Sequence, residues 1–124
     1  MAVGPLTQIY IAVRNIYSSI GFYRDILGVP FLFKVPDQPV AYFQSGNVRL
    51  CLGKPESPAQ ATKALIYFPV DDLDAEYVRL SRIGLEFEQD PYLVRRSGLQ
   101  EVRMAMLRDP DGHSIALVQE RQVS

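Results

Sequence analysis

RDPDGHSIALVQE, residues 108–120, is the stretch whose reading decides the fold. Asp109-Pro110-Asp111-Gly112 is a turn signal, because Pro fixes φ and Gly accepts a positive one. The residues beyond it alternate. Ile115 and Leu117 are large and apolar, whereas Ser114 and Ala116 are small and Val118 is modest in size. That pattern predicts a strand with one face on a core and the other lining something else. MAMLR, residues 104–108, also reads as a strand, so the turn closes a hairpin.

Working back to the start, QIYIAV (residues 8–13) alternates with period two, Ile9, Ile11 and Val13 on one face and Gln8, Tyr10 and Ala12 on the other. Asn15 suits an N-cap, since its side chain can accept from an orphan backbone N–H. Ile16, Ile20, Tyr23 and Leu27 then fall at helical spacing, Gly28 is the stop and Pro30 prevents continuation. VPFLFKV, VAYFQ and VRLCL supply three more strands, with turns at 37–39 and 45–47. GKPESPAQATK, residues 53–63, has no period and predicts an exposed linker. After it the pattern restarts. LIYFPV echoes QIYIAV at an offset of 57: Ile66 matches Ile9, Tyr67 matches Tyr10 and Val70 matches Val13. Asp72 takes the cap position, and Leu73, Tyr77 and Leu80 take the helix face. Ile83-Gly84 repeats Leu27-Gly28 after a slip of one residue. LEFEQ, EVRMAML and HSIALVQ complete the second set of strands, with YLVRRSGLQ expected as a loop or interrupted strand between the first two. The chain therefore predicts an α+β fold of two tandem βαβββ modules, about 6–53 and 64–120, joined by a linker at about 53–63 and making up one domain over 1–124.

A module of this kind covers one face of its sheet with its own helix and leaves the other open. An open four-stranded face needs a second sheet or chain to enclose it. AVRNIYSSIGFYRDILGVP (residues 12–30) and DPDGHSIALVQE (residues 109–120) resemble the first strand and helix, and the last hairpin, of the vicinal oxygen chelate superfamily. That superfamily includes glyoxalase I, fosfomycin-resistance thiol transferases, extradiol dioxygenases and bleomycin-binding proteins. The resemblance implies paired modules forming a cupped mixed β-sheet with helices on its convex side, one site per module pair, and often a homodimer.

In metal enzymes of the superfamily, His, Gln and Glu side chains on cavity-facing strands hold a divalent cation. The resemblance assigns those positions here to Gln8, Cys51, Leu65 and Ala116. The internal offset pairs Leu65 with Gln8 independently. Leu65 and Ala116 have no donor atom, and a neutral amide with one thiol does not hold a catalytic divalent cation. His113, the sole histidine, lies three residues before Ala116, so strand parity points it the other way. It is expected as a turn or surface residue. No metal and no cofactor are expected.

If Gln8 faces inward, parity brings Tyr10, Arg49, Cys51, Leu65, Tyr67, Met104, Met106, Ala116 and Val118 with it. Ile9, Ile11, Leu50, Leu52, Ile66, Phe68, Ala105, Leu107, Ile115 and Leu117 should meet the helices. The inward set is soft and partly aromatic. Tyr10 and Tyr67 can stack on a planar ligand, Met104 and Met106 adapt to an irregular shape, and Arg49 can pair with an anion. Each also has a plainer role, as core filling, a solvated strand-end charge or, for Cys51, an inert buried thiol. Arg95 and Arg96 are expected on a mobile loop, solvated or closing over the cup.

Composition narrows the rest. A net charge of −1 and no basic stripe argue against nucleic acid and anionic membranes as partners. No apolar run reaches the roughly 20 residues a spanning helix needs, and MAVGPLTQ lacks the regions of a signal peptide. One cysteine fits a reducing, cytoplasmic setting. Together these predict a homodimeric, metal-free protein that sequesters a small apolar or aromatic ligand in the cleft between modules. The alternative is an enzyme, a glyoxalase-like lyase or thiol transferase with an atypical metal site. A metal-free isomerase or hydrolase using Tyr10, Tyr67 or Cys51 is a third possibility that no residue pattern favours.

Overall fold

The turn at 109–112 is held by one carboxylate. Asp109 Oδ1 accepts from the backbone N–H groups of Asp111 (2.9 Å) and His113 (2.8 Å), and Gly112 takes φ +82°. His113 is buried, and its Nδ1 accepts from the Ala64 backbone N–H at 2.8 Å, so the ring carries a proton on Nε2. It is a turn residue, as expected, but an interior one: it fastens the turn to the chain entering the first strand of the same sheet. These features come from a computed structural model that describes residues 3–55, 57–58 and 61–123.

The chain divides into two compact units, residues 1–63 and 64–124. The first contains β1 (Gln8–Ala12), α1 (Ile16–Ile20) running into a π-helical turn (Gly21–Ile26), β2 (Phe31–Lys34), β3 (Val40–Ser45) and β4 (Val48–Gly53). The second contains β5 (Leu65–Pro69), α2 (Leu73–Arg82), β6 (Phe87–Ser97), β7 (Gln100–Arg108) and β8 (Ser114–Gln122). Each has a four-stranded mixed sheet of the same order, β1-β4-β3-β2 and β5-β8-β7-β6, with the first strand parallel to the last. This is the α+β, βαβββ arrangement expected of both halves. The linker begins after Gly53, which is still in β4, and positions 56, 59 and 60 of it lie outside the described residues.

Both helices start where the caps predict. Asn15 Oδ1 accepts from Tyr17 N and Ser18 N, and Asp72 Oδ1 accepts from Ala75 N at 3.1 Å. Gln119 Oε1 adds a bond from Leu73 N at 2.8 Å, satisfying another orphan donor of α2. The first helix does not stay α-helical. Leu27 N bonds Phe22 O, five residues back, and the helix closes on Gly28 at φ +80°. The wider turn holds one extra residue, which accounts for the one-residue slip between the repeats.

In the first unit Ile11, Leu50, Leu52, Ala41 and Phe43 are buried with Ile16, Ile20, Phe22 and Tyr23 of the helix. Tyr23 and Phe43 have ring centroids 6.1 Å apart. In the second, Ala105, Leu107, Ile115 and Leu117 are buried with Leu73 and Leu80. Each large side chain so covered stabilises by about 1.5–3 kcal/mol. The helix-facing set therefore has the expected parity, although Ile9, at the start of β1, stays partly exposed.

At residues 92–100 the structure decides between loop and interrupted strand in favour of the strand: β6 runs to Ser97 and meets β7 in a tight hairpin around Gly98, φ +60°. Three register shifts interrupt its pairing, so period-two alternation is lost. Pro91 is tolerated because β6 is an edge strand. Arg95 and Arg96 accordingly sit on a strand, opposite Val102 and Glu101. Arg96 pairs with the buried carboxylate of Glu101, which Arg121 Nε also reaches at 2.9 Å.

Candidate functional site

Each sheet has a face turned away from its helix, and the register fixes what lies on it. In the first unit Gln8 sits beside Arg49, and Arg49 beside Gln44. The next row is Tyr10, Cys51, Tyr42 and Phe33. Arg49, Gln8, Tyr10 and Cys51 thus share the face that parity gave them. Tyr42, Phe33 and Gln44 belong to it too and were not anticipated. The signal for Tyr42 and Gln44 was the alternation within VAYFQ, which becomes decisive once β3 is known to pair with β4, and Phe33 follows from its pairing with Tyr42.

Aromatic contacts order this face. Phe33 and Tyr42 lie 5.1 Å apart between centroids, and the Arg49 guanidinium sits 5.5 Å above the Tyr42 ring. The Tyr10 hydroxyl donates to Gly53 O at 3.0 Å, so its proton is committed and its ring lies flat across β4. A Cβ on Gly53 would stand 2.9 Å from Tyr10 Cε2, so any larger residue there would have to displace the ring. Cys51 is buried, and burial pushes its thiol pKa up, only partly offset by a hydrogen bond with Tyr42. The Tyr42 phenol is also raised, first by the charge Cys51 would carry and then by that bond. A thiol held protonated is a poor nucleophile.

In the second unit, Tyr67 sits beside Ala116, Ala116 beside Met106, and Met106 beside Gln89. Pro69, Val118, Met104 and Tyr92 make the adjacent row. Leu65 lies opposite Ser114 at the start of β5. Leu65 and Tyr67 are 51% and 57% exposed, large for apolar and aromatic side chains on a strand, whereas Ala116 between Tyr67 and Met106 is fully buried. An open groove of about 480 Å³ runs along this face and its end, lined by Tyr67, Phe68, Pro69, Val70, Asp71, Val118 and Glu120. The second face is thus apolar and aromatic at its centre and acidic at one end.

The donor chemistry does not suit a divalent cation. Of the four positions that the resemblance assigns to metal ligation, Leu65 and Ala116 present carbon, Cys51 is a buried protonated thiol, and Gln8 contributes a neutral amide. Among the described residues no group of three or more His, Cys, Asp or Glu side chains is placed to hold a metal ion. No helix among them is long and apolar enough to cross a membrane.

Two βαβββ units, each with a parallel outer pair and a sheet face turned away from its helix, define a protein of the glyoxalase-like class. The chain belongs to the Glyoxalase/Bleomycin resistance protein/Dioxygenase superfamily, whose family model matches residues 5–117. Metallothiol transferase FosB of Staphylococcus epidermidis is 32% identical over 118 residues, covering 90% of this chain and 81% of its own. Among solved structures, TnmS3, an antibiotic binding protein from Streptomyces sp. CB03234, superposes with a TM-score of 0.74 at 22% identity, covering 98% of this chain and 99% of its own. Lactoylglutathione lyase from Agrobacterium tumefaciens gives 0.74 at 20% identity, with 95% of each chain covered. These last two likenesses are of fold.

Proposed function

We propose that this protein binds a small apolar or aromatic molecule on its open sheet faces and sequesters it without a metal. The observation that carries the reading is the pair Leu65 and Ala116: two of the positions that the resemblance assigns to metal ligation offer no lone pair, while Leu65 and Tyr67 expose carbon surface. Sequestration needs shape and stacking only, and Tyr10, Tyr42, Tyr67, Met104 and Met106 supply polarizable surface for both. Gln8 and Arg49 would orient a polar end of the ligand, with Cys51 and Ala116 as floor. In this reading the two modules act as one domain, and the protein is a cytoplasmic homodimer. TnmS3, an antibiotic binding protein, offers a precedent for binding on this fold.

The test has two arms. Elemental analysis of purified protein should find no stoichiometric nickel, zinc, manganese or iron. A thermal-shift screen of aromatic antibiotics and metabolites should find stabilising compounds, since a ligand at 100 times its Kd adds about 2.7 kcal/mol. Similarity to FosB supports the second reading, a thiol transferase or lyase with an atypical metal site. One equivalent of tightly held metal would establish that reading and defeat the first.

A further inference from the structure

The groove of the second unit carries charge as well as shape. Its walls are the Tyr67 ring, Pro69, Val70 and Val118, and its polar side chains include two carboxylates, Asp71 and Glu120. No Lys or Arg among the described residues lines it. Among the described residues neither carboxylate has a hydrogen bond or an ion pair, in contrast to Glu88, Glu101, Asp74 and Asp25, each of which is matched to an arginine. Two carboxylates beside an exposed aromatic ring, with no basic side chain along the same lining, give the groove a local negative charge.

Resting on the binding reading above, we propose that this groove accepts the ammonium group of a small aromatic or apolar amine. Asp71 and Glu120 supply the counter-charge, the Tyr67 face adds cation–π attraction, and the apolar body lies along Val118 and Pro69. A neutral ligand would gain only the apolar contacts. An anionic one would face two carboxylates, and like-charge juxtaposition opposes binding. For this groove, the ligand class is thereby narrowed to a cationic amphiphile.

Three probes of one shape test this: 2-naphthylmethylamine, protonated at neutral pH, the neutral 2-naphthylmethanol, and the anionic 2-naphthoate. Affinities are measured by calorimetry and located by amide chemical-shift changes on the full-length protein. The ammonium should bind about tenfold tighter than the alcohol, with the carboxylate weakest, and the shifts should centre on Tyr67 and Val118. Asp71→Asn and Glu120→Gln should each lower the ammonium's affinity severalfold and leave the alcohol's unchanged, and 0.5 M salt should shrink the preference. Both residues are exposed, so folding is spared and thermal melts confirm it. Equal affinity for all three probes, failure of the ammonium to bind, or an ammonium preference indifferent to both substitutions would overturn the proposal. Aromatic ligands binding elsewhere with no response at Tyr67 would overturn this inference alone and leave sequestration standing.

Discussion

At the scale of single residues, the sharpest constraint is the contact between Tyr10 and Gly53. Gly53 has no unusual φ, so alanine is acceptable to its backbone, and the obstacle is the ring 2.9 Å from the added Cβ. Gly53→Ala should therefore push the partly exposed Tyr10 ring aside and destabilise by about 0.5–1.5 kcal/mol, the net worth of the hydrogen bond it gives up. In a Tyr10→Ala background the same change should be close to neutral, and chemical denaturation of the four variants measures the coupling. Glu101 gives a second, pH-dependent case. Its carboxyl is held below the ordinary value of 4.5 by hydrogen bonds from Arg96 and then Arg121. A depressed folded-state pKa means stability that is complete above the unfolded value and drains away as pH falls through the folded one. Wild type should thus exceed Glu101→Gln in stability at neutral pH, and urea midpoints should converge below about pH 4. Equal midpoints at neutrality would mean that the two arginines do not favour the charged form. Neither feature was legible in the sequence. Tyr10 announced its face by alternation, but its partner lies 43 residues away, and the Glu101 pairs depend on the registers of β6 and β8 against β7.

Among the elements, those with local signals were legible and those shaped by non-local pairing were not. Asn15 and Asp72 cap their helices because capping involves only the next few residues, and Gly28 and Gly84 stop them because each takes a positive φ. β6 was legible at its start, in LEFEQ, but its full length was not, because three register shifts and Pro91 erase the alternation that marks a strand. The first helix sits between these cases: its face was readable, its π-helical turn only as a slip in the repeat. Ile16, Ile20 and Tyr23 stand at the same spacing as Leu73, Tyr77 and Leu80, and the extra residue enters after Tyr23. Deleting Asp25, an exposed residue paired with its neighbour Arg24, should let Leu27 take the place that Ile83 holds after α2 and convert the turn to α-helix. The far-ultraviolet helical signal should survive, and the loss of stability should be smaller than for Tyr23→Ala, about 3 kcal/mol or more for truncating a buried aromatic ring. A deletion as damaging as Tyr23→Ala would show that the wide turn is needed by its packing rather than inserted at low cost.

For the molecule as a whole, the repeat was legible because both halves solve one problem, a helix closing one side of a mixed sheet, with the same order of strands. The composition of the open faces was half legible. Parity assigned Gln8, Tyr10, Arg49, Leu65, Tyr67 and both methionines, but Tyr42, Phe33 and the acidic groove of Asp71 and Glu120 required the pairing of β3 and the course of the chain beyond β5. Residues 64–124 test what an open face demands. The unit has its own core around Leu73, Leu80, Leu107 and Ile115, enough to define a fold, yet Leu65 and Tyr67 stand more than half exposed. A small sheet with that much exposed carbon is expected to seek cover. Expressed alone, residues 64–124 should show native-like far-ultraviolet dichroism but elute as a dimer or larger species, and Leu65→Gln with Tyr67→Gln should shift it toward monomer. A fragment that stays monomeric at high micromolar concentration with a cooperative melt would mean that this face is stable bare, and the apolar surface here assigned to a ligand would lose its physical motive.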